Sequence, residues 1–163
     1  MTTAVDLVAE LRSAGLTVAV AESLTGGLVV AELVSVPGAS AVVAGGVVAY
    51  QTLLKHSLLG VDAGLLEREG AVHPDVAAQM AQGVRQRLTV DGRPADVGIS
   101  TTGVAGPDPQ DGKPVGTVYV GVSLGSHVDV TALSLEGDRE AIRRATVSES
   151  LAAAERLLQR SRE

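Results

Sequence analysis

Ser23 lies in a segment whose residue types suit nucleophilic chemistry. The segment, Ala21–Gly27, reads Ala-Glu-Ser-Leu-Thr-Gly-Gly and follows a short apolar run. A hydroxyl there would stand at the end of a buried strand, beside backbone N–H groups that a helix's first turn leaves without partners. Gly26 and Gly27 would let the backbone come close to a bound group. The pattern predicts an anion or oxyanion cradle, although Ser23 or Thr25 as a simple N-cap explains it about as well.

Lys55 is the candidate base, because a serine becomes a useful nucleophile only when a neighbouring group accepts its proton. It is one of two lysines, both in loop-like segments, and it follows the apolar run that ends at Tyr50. Burial would lower the pKa of such a lysine. An ordinary solvated lysine is the alternative. Tyr50 could hydrogen-bond Lys55 or Ser23 or stack on a flat ring, and a core position is equally compatible with the sequence.

A polar loop after the third predicted strand offers a second wall for the site. The segment Thr101–Asp108 carries two hydroxyls and two glycines, which suit hydrogen bonds to a phosphate or a sugar, and the loop is long for a compact domain. A plain Gly/Pro loop is the alternative. The predicted ligand contacts are Thr102, Gly103, Ala105 and Gly106.

The start of the last predicted helix offers a positive group. Gly137-Asp138-Arg139 opens this helix, and Arg143 follows one turn later. A guanidinium suits phosphate or carboxylate, and a negatively charged protein would need such a group to hold an anionic nucleotide. Arg143 is the predicted anion contact, with a solvated helix face as the common alternative.

Composition excludes several classes of function. The 163 residues fit one domain, and the formal net charge of −6 disfavours nucleic-acid binding. The absence of cysteine excludes disulfides, thiolate zinc sites and a cysteine nucleophile. We expect no metal site, because the three histidines, His56, His73 and His127, are dispersed and suit surface or capping positions. No leader-like N-terminus or membrane-spanning stretch is evident, so a cytoplasmic protein without membrane contact is expected.

Helical and strand-like patterns alternate along the chain and predict an α/β fold. The predicted helices are a first helix ending before Gly15, Leu28–Val34, a turn at Leu65–Glu69, Pro74 to about Thr89, and Asp138 to about Gln159. The predicted strands are Leu16–Ala21, Ala41–Tyr50, Ala95–Ser100, and a hairpin of Val115–Leu124 and Val128–Leu135. The segment Gln51–Leu59 is short and mixed. These elements predict a mixed, mostly parallel sheet with helices on both faces, a late hairpin and a closing helix.

The site residues would meet at one edge of this sheet, since ligands of open α/β sheets bind beyond the carboxyl ends of the strands. Ser23, Tyr50 and the loop after Ser100 all lie at such ends in the predicted arrangement.

Six segments in order resemble the C-terminal domain family of the competence-damage protein CinA, and the resemblance covers nearly the whole chain. The segments are Ala21–Gly27, Tyr50 with Lys55, Gly70–Val72, Thr102–Pro107, Pro114–Val118 and Gly137–Arg139. The resemblance implies a single three-layer α/β/α domain over residues 1–163. It also implies a nicotinamide-nucleotide amidase, without a cofactor, that hydrolyses nicotinamide mononucleotide to nicotinate mononucleotide and ammonia in pyridine nucleotide recycling.

The same resemblance implies roles for individual residues. Ser23 would be the nucleophile, Lys55 the base, and Tyr50 the residue that orients them. The nucleotide would be held by Thr102, Gly103 and Arg143. The chemistry of the residues themselves agrees with these roles, and it predicts that the oxyanion rests on N–H groups near Thr25 and Gly26.

Two other functions are compatible with these residues. A nucleotide-binding or partner-binding module could keep the pocket without turnover, because a fold does not guarantee activity. An amidase for a different small carboxamide would still need Ser23. A homodimer is plausible, since the alanine-rich last helix suits either a core or an interface.

Overall fold

In a computed structural model that describes all 163 residues, helices and strands alternate along the chain. The helices are α1 (Ala4–Ala14), α2 (Leu28–Val34), α3 (Thr52–Leu59), α4 (Ala63–Glu69), α5 (Pro74–Arg87) and α6 (Arg139–Arg160). The strands are β1 (Val18–Glu22), β2 (Val43–Val48), β3 (Val97–Gly103), β4 (Thr117–Leu124) and β5 (His127–Ser134). A short 3-10 turn, Ala39–Ala41, precedes β2. No helix combines the length and hydropathy that crossing a bilayer requires.

The five strands form one mixed sheet in the order β2-β1-β3-β4-β5. β1 pairs in parallel with β2 and β3, whereas β4 runs antiparallel to both β3 and β5. Four strands therefore point one way and only β4 runs against them. The predicted mixed sheet with a C-terminal hairpin is confirmed.

Helices cover both faces of the sheet, each over its own hydrophobic core. On one face α1, α2 and α6 bury side chains such as Leu11, Leu33 and Ile142 against the strands. On the other face α5 contributes Met80 and Val84 to a smaller core. The three-layer prediction is confirmed, and the full burial of β1 follows because it is covered on both faces.

Lys55 lies on a helix, so its predicted loop-like segment is wrong. Within α3 the buried residues are Lys55 and Leu59, while Leu53, Leu54 and Leu58 face outward. Apolar side chains on the exposed face hid the amphipathic pattern that would have indicated a helix.

Strand β3 is longer than predicted and includes residues assigned above to the loop. Thr101, Thr102 and Gly103 pair with β4 in an antiparallel register. Pairing with a long neighbouring strand overrides the weak strand preference of this polar, glycine-containing sequence. β2 is shorter than predicted, and Tyr50 lies two residues beyond its end.

Helices α3 and α5 approach closely at Gly83. A Cβ atom added there would lie 1.9 Å from the carbonyl oxygen of Leu59, the last residue of α3. Only glycine allows this close approach between the end of α3 and α5.

Gly83→Ala should lower the free energy of unfolding by about 3 kcal/mol, because backbone of α3 and α5 would have to separate. Gly45→Ala is the matched control. Its added Cβ would meet only Leu88 Cδ1 at 3.7 Å, an ordinary contact, so its effect should stay within about 0.5 kcal/mol. Urea denaturation measures both, and equal losses in the two variants would contradict the close-packing account.

Candidate active site

Three strand ends meet where Ser23 leaves the sheet. Glu22, the last residue of β1, is in register with Val48 of β2 and Thr101 of β3. The Ser23 N–H donates to the carbonyl oxygen of Thr101 at 3.1 Å and to its hydroxyl at 3.2 Å. The backbone of Ser23 is therefore fixed to the central strands, as predicted for a residue at a carboxyl end.

The N-terminus of α2 is occupied by a side chain of the protein itself. Both oxygens of the fully buried Glu22 carboxylate accept backbone hydrogen bonds, from Val29 at 2.8 Å and from Val30 at 3.1 Å. A carboxylate is favourable at a helix N-terminus for the same reason that a bound anion would be. These N–H groups are thus not available to a ligand, and the anion cradle predicted at the helix start is wrong in this respect.

The turn between Ser23 and α2 is held by internal contacts. Thr25 is buried and shares a 2.8 Å hydrogen bond between its hydroxyl and that of Thr101. The Gly26 N–H donates to the Ser23 carbonyl, and Gly27 opens α2 with a left-handed φ of 104°. None of the three predicted binding residues Thr25, Gly26 and Gly27 lines the cavity beside Ser23.

Three backbone N–H groups of this turn, those of Leu24, Thr25 and Gly27, have no acceptor within the protein. That of Leu24 directly follows Ser23 in a residue that lines the cavity, which is where an oxyanion formed by attack of the Ser23 hydroxyl would need a donor. Of the N–H groups predicted for this role, that of Thr25 is free but belongs to a fully buried residue, and that of Gly26 is already engaged.

Lys55 and Ser23 are in direct contact. Lys55 Nζ lies 2.9 Å from Ser23 Oγ, 2.8 Å from the Ala49 carbonyl oxygen and 3.2 Å from the Tyr50 carbonyl oxygen. When the amine is neutral, its two hydrogens can serve the two carbonyls while its lone pair faces Ser23 Oγ. The contacts therefore hold the amine in the orientation of a base.

Burial also tunes the lysine for this role. Lys55 is the largest fully buried side chain in the protein and is 1% exposed. Desolvation of its ammonium lowers the pKa of Lys55 to about 8. At pH 7, Lys55 is then neutral in roughly one-tenth of the protein molecules. The alternative of an ordinary solvated lysine is wrong, because the side chain is buried.

A cavity of about 380 Å³ opens beside this pair. Its lining includes Ser23, Tyr50, Lys55 and Arg139, together with the end of β3 and the loop that follows it, residues 102–110. A larger depression of about 810 Å³ lies at the opposite, amino-terminal edge of the strands and contains no serine–base pair. We therefore identify the cavity at Ser23 as the candidate active site, because it contains a nucleophile and a base although it is the smaller of the two.

The residues predicted to form a second wall of the site do line the cavity, and one of them already hydrogen-bonds within the protein. Thr102, Gly103, Ala105 and Gly106 all line the cavity. The Thr102 hydroxyl, however, donates to the carbonyl oxygen of Ala71 at 2.7 Å. Thr102 thus ties this wall to the segment before α5, and only its oxygen lone pairs are left for a ligand.

The side chain of Tyr50 is neither in the core nor hydrogen-bonded to Ser23 or Lys55, while its predicted stacking on a flat ring stays a prediction. Its side chain is 56% exposed, so it is not a core residue. Its hydroxyl accepts a hydrogen bond from Arg139 Nη2 at 3.1 Å and contacts neither Ser23 nor Lys55. The backbone carbonyl of Tyr50, rather than its ring, is what helps to orient Lys55.

Arg143 supports the turn instead of facing the cavity. Its guanidinium donates to the carbonyl oxygens of Leu24 at 2.9 Å and Thr25 at 3.3 Å. Arg139, four residues earlier at the start of α6, lines the cavity. The Gly-Asp-Arg motif contained this residue, but the sequence does not reveal which of two arginines one turn apart faces a cavity.

The histidines and acids do not form a metal site. The structure contains no group of three or more His, Asp or Glu side chains able to hold a metal ion. His73 caps α5 by accepting the backbone N–H of Asp75, which agrees with its predicted capping position.

Fold and site together define an α/β/α domain that carries a buried serine–lysine pair at the carboxyl edge of its sheet. The CinA C-terminal domain matches residues 1–158, and the chain belongs to this family. A CinA-like protein of Frankia casuarinae is 50% identical over 142 residues, which cover 87% of this chain and 32% of that protein. A putative competence-damage inducible protein of Geobacillus sp. is 52% identical over 128 residues, or 78% of this chain and 30% of the relative. The chain thus spans about a third of the length of these curated relatives.

Solved structures of the family share this fold. The competence/damage inducible protein CihA of Agrobacterium tumefaciens superposes with a TM-score of 0.87 at 34% identity, covering 96% of this chain and 93% of that one. A CinA superfamily protein of Klebsiella pneumoniae gives a TM-score of 0.88 at 30% identity, covering 96% of both chains.

Glu22→Gln should lower the free energy of unfolding by about 2 kcal/mol, because it removes a charged acceptor from two buried hydrogen bonds. The amide can still accept from one N–H, but its NH₂ group then faces the other. Glu32→Gln on the exposed face of α2 is the control and should change stability by less than about 0.5 kcal/mol. Urea denaturation of both variants makes the comparison, and a neutral Glu22→Gln would refute this role.

Proposed function

We propose that this protein is a nicotinamide-nucleotide amidase, which converts nicotinamide mononucleotide and water to nicotinate mononucleotide and ammonia. The observation that carries the proposal is the 2.9 Å contact between Ser23 Oγ and the buried Lys55 amine, whose pKa burial lowers to about 8. A nucleophile beside a base of this kind suits acyl transfer. The substrate follows the family resemblance, and the cavity is within the usual size range of small-molecule sites.

The reaction begins with proton transfer from Ser23 to neutral Lys55. As the proton moves to Nζ, Ser23 Oγ attacks the carboxamide carbon, and the carbonyl π electrons move onto oxygen. A tetrahedral intermediate forms with one negative charge. The Ala49 and Tyr50 carbonyls, at 2.8 and 3.2 Å, stabilise the new ammonium.

The unused N–H group of Leu24, a residue that lines the cavity, is the donor for the oxyanion. It is fixed by the turn that Thr101, Glu22 and Arg143 hold, so it needs no rearrangement during the reaction. A preorganised donor of this kind contributes on the order of a hundredfold in rate.

Collapse of the intermediate releases ammonia. Lys55 returns its proton to the amide nitrogen, the C–N bond breaks, and an ester of Ser23 remains. Water then attacks this ester and gives its proton to Lys55, which passes it to Ser23 Oγ as the carboxylic acid leaves. The acid loses its own proton to solvent, and the enzyme is restored with each atom accounted for.

Ammonia release from nicotinamide mononucleotide should fall at least about a thousandfold in Ser23→Ala and by about a hundredfold or more in Lys55→Met. Ser57→Ala, an exposed serine on the same helix as Lys55, is the control and should keep the wild-type rate. A coupled ammonia assay measures all four proteins. Full activity in Ser23→Ala would contradict the mechanism, and nucleotide binding without ammonia release would indicate a binding module instead.

The rate should depend on the proton of Lys55. Since the base acts only when deprotonated, log kcat/KM should rise by about one unit per pH unit below its pKa and level off above about pH 8. Measurements from about pH 6.5 to 9.5 avoid the second ionisation of the substrate phosphate near pH 6. A profile that stays flat across this range would exclude Lys55 as the titrating base.

A further inference from the structure

The two edge strands of the sheet differ in how they are protected. β2 pairs only with β1, and its sequence, Val43–Val48, contains no charged residue and no proline. β5, the opposite edge, carries Asp129, which forms an ion pair with Arg160 of α6. Proteins commonly place charges or prolines on edge strands, because an unprotected edge can pair with another chain. The free edge of β2 is therefore open to such pairing.

Two backbone amides mark this free edge. The Ala49 N–H donates to the carbonyl oxygen of Glu22 in β1 at 2.9 Å. Successive N–H groups of an extended chain point to opposite sides, so those of Val48 and Gly46 point away from β1. Both residues are exposed. Their backbone groups can therefore hydrogen-bond to a second strand that lies along β2.

The chain around this edge contains no acidic residue. None of the 19 Asp and Glu residues of the protein lies between Glu32 and Asp62. The stretch has one lysine, Lys55, which is buried, and no arginine. It therefore presents neither a carboxylate nor an ammonium group to solvent, although the protein as a whole has a formal net charge of −6.

Exposed apolar side chains are concentrated in the same stretch. Nine large hydrophobic side chains of the protein are exposed, and six of them lie there. These six are Val34, Val48, Tyr50, Leu53, Leu54 and Leu58. Single exposed apolar residues are normal, whereas several in one region indicate an interaction surface.

Two helices flank β2 on opposite faces of the sheet. Leu33 of α2 belongs to the hydrophobic core on one face, and Leu59 of α3 belongs to the core on the other. Each helix also exposes apolar side chains, Val34 on α2 and Leu53 and Leu58 on α3. We call the free edge of β2 and these three side chains the β2 surface. A chain that pairs with β2 can thus meet apolar side chains on both faces of the sheet.

The charge distribution favours a second copy of this chain as the partner. A positively charged partner would be attracted to the acidic parts of the molecule rather than to a region without acids. A copy has the same negative charge and is repelled wherever two acidic regions meet, so acid-free regions are where two copies can approach. A two-fold axis beside β2 pairs the two β2 strands antiparallel and satisfies both free edges with the same residues.

We propose that two copies of this protein associate through the β2 surface, so that the five strands of each copy form one continuous sheet. The contact lies at β2 rather than at the alanine-rich α6, because Ala153 and Ala154 of that helix are buried in the core of their own chain. The proposal is independent of the amidase reaction, and neither result decides the other.

Sedimentation velocity on the full chain tests the association directly. At about 50 µM the wild-type protein should sediment at twice the monomer mass, and dilution should dissociate it. Leu53→Glu changes a side chain that is 79% exposed, so the monomer should fold normally. It places a carboxylate from each copy in the contact and should raise the dissociation constant at least about tenfold. Val5→Glu, at an exposed valine of α1, is the matched control and should leave the dimer unchanged.

Hydrogen exchange measured by NMR tests the strand pairing. In the wild-type dimer the amides of Gly46 and Val48 should exchange slowly, and in Leu53→Glu at the same concentration they should exchange at least about tenfold faster. A monomeric wild-type protein would overturn the proposal and leave the β2 surface to a partner of different sequence. A Leu53→Glu dimer as tight as that of Val5→Glu would also overturn it, as would rapid exchange of both amides in a wild-type dimer.

Discussion

The arrangement of the site depends on the burial of one ammonium group, that of Lys55. Lys55 is a buried residue of α3, and its Nζ has three hydrogen-bond partners, which are the Ala49 and Tyr50 carbonyls beyond β2 and the Ser23 hydroxyl. Desolvation of a charge is expensive, so the protein lowers the pKa of the lysine instead of holding it fully charged. The helix that carries Lys55 packs closely on α5, where the missing side chain at Gly83 leaves room for the backbone of Leu59. In the proposed mechanism this unfavourable burial is what makes the amine a base.

The nucleophile is held by a separate set of buried polar contacts. Glu22 accepts hydrogen bonds from the start of α2, Thr101 fixes the backbone of Ser23, and Arg143 holds the turn through two of its carbonyl oxygens. Such contacts leave the N–H of Leu24, next to Ser23, without an acceptor in the protein. The start of α2, where an anion would be favourable, is thus occupied by the protein's own carboxylate and supports the turn.

Much of this arrangement could be predicted from the sequence, because it depends on local patterns. Alternating apolar runs gave the layers and the sheet, and a serine before two glycines indicated the strand end. Lys55 stood out because the chain has few lysines. Three features escaped prediction for physical reasons. The helix that carries Lys55 exposes leucines, so its apolar residues do not show a helical period. Glu22 accepts hydrogen bonds from N–H groups seven and eight residues away. Which of Arg139 and Arg143 faces the cavity depends on how α6 is rotated against the loops.

The central claim is that Lys55 is a lysine with a lowered pKa inside the folded protein, and it can be tested without any substrate. The chain contains only two lysines, Lys55 and Lys113, so protein carrying ¹³C-labelled lysine gives two side-chain NMR signals. Lys113→Arg assigns them by removing one. Our account predicts that the ¹³Cε resonance of Lys55 titrates with a midpoint at about pH 8. A midpoint at the ordinary lysine value of 10.5 would contradict it, because the side chain would then be almost fully protonated at neutral pH and unable to accept the proton of Ser23.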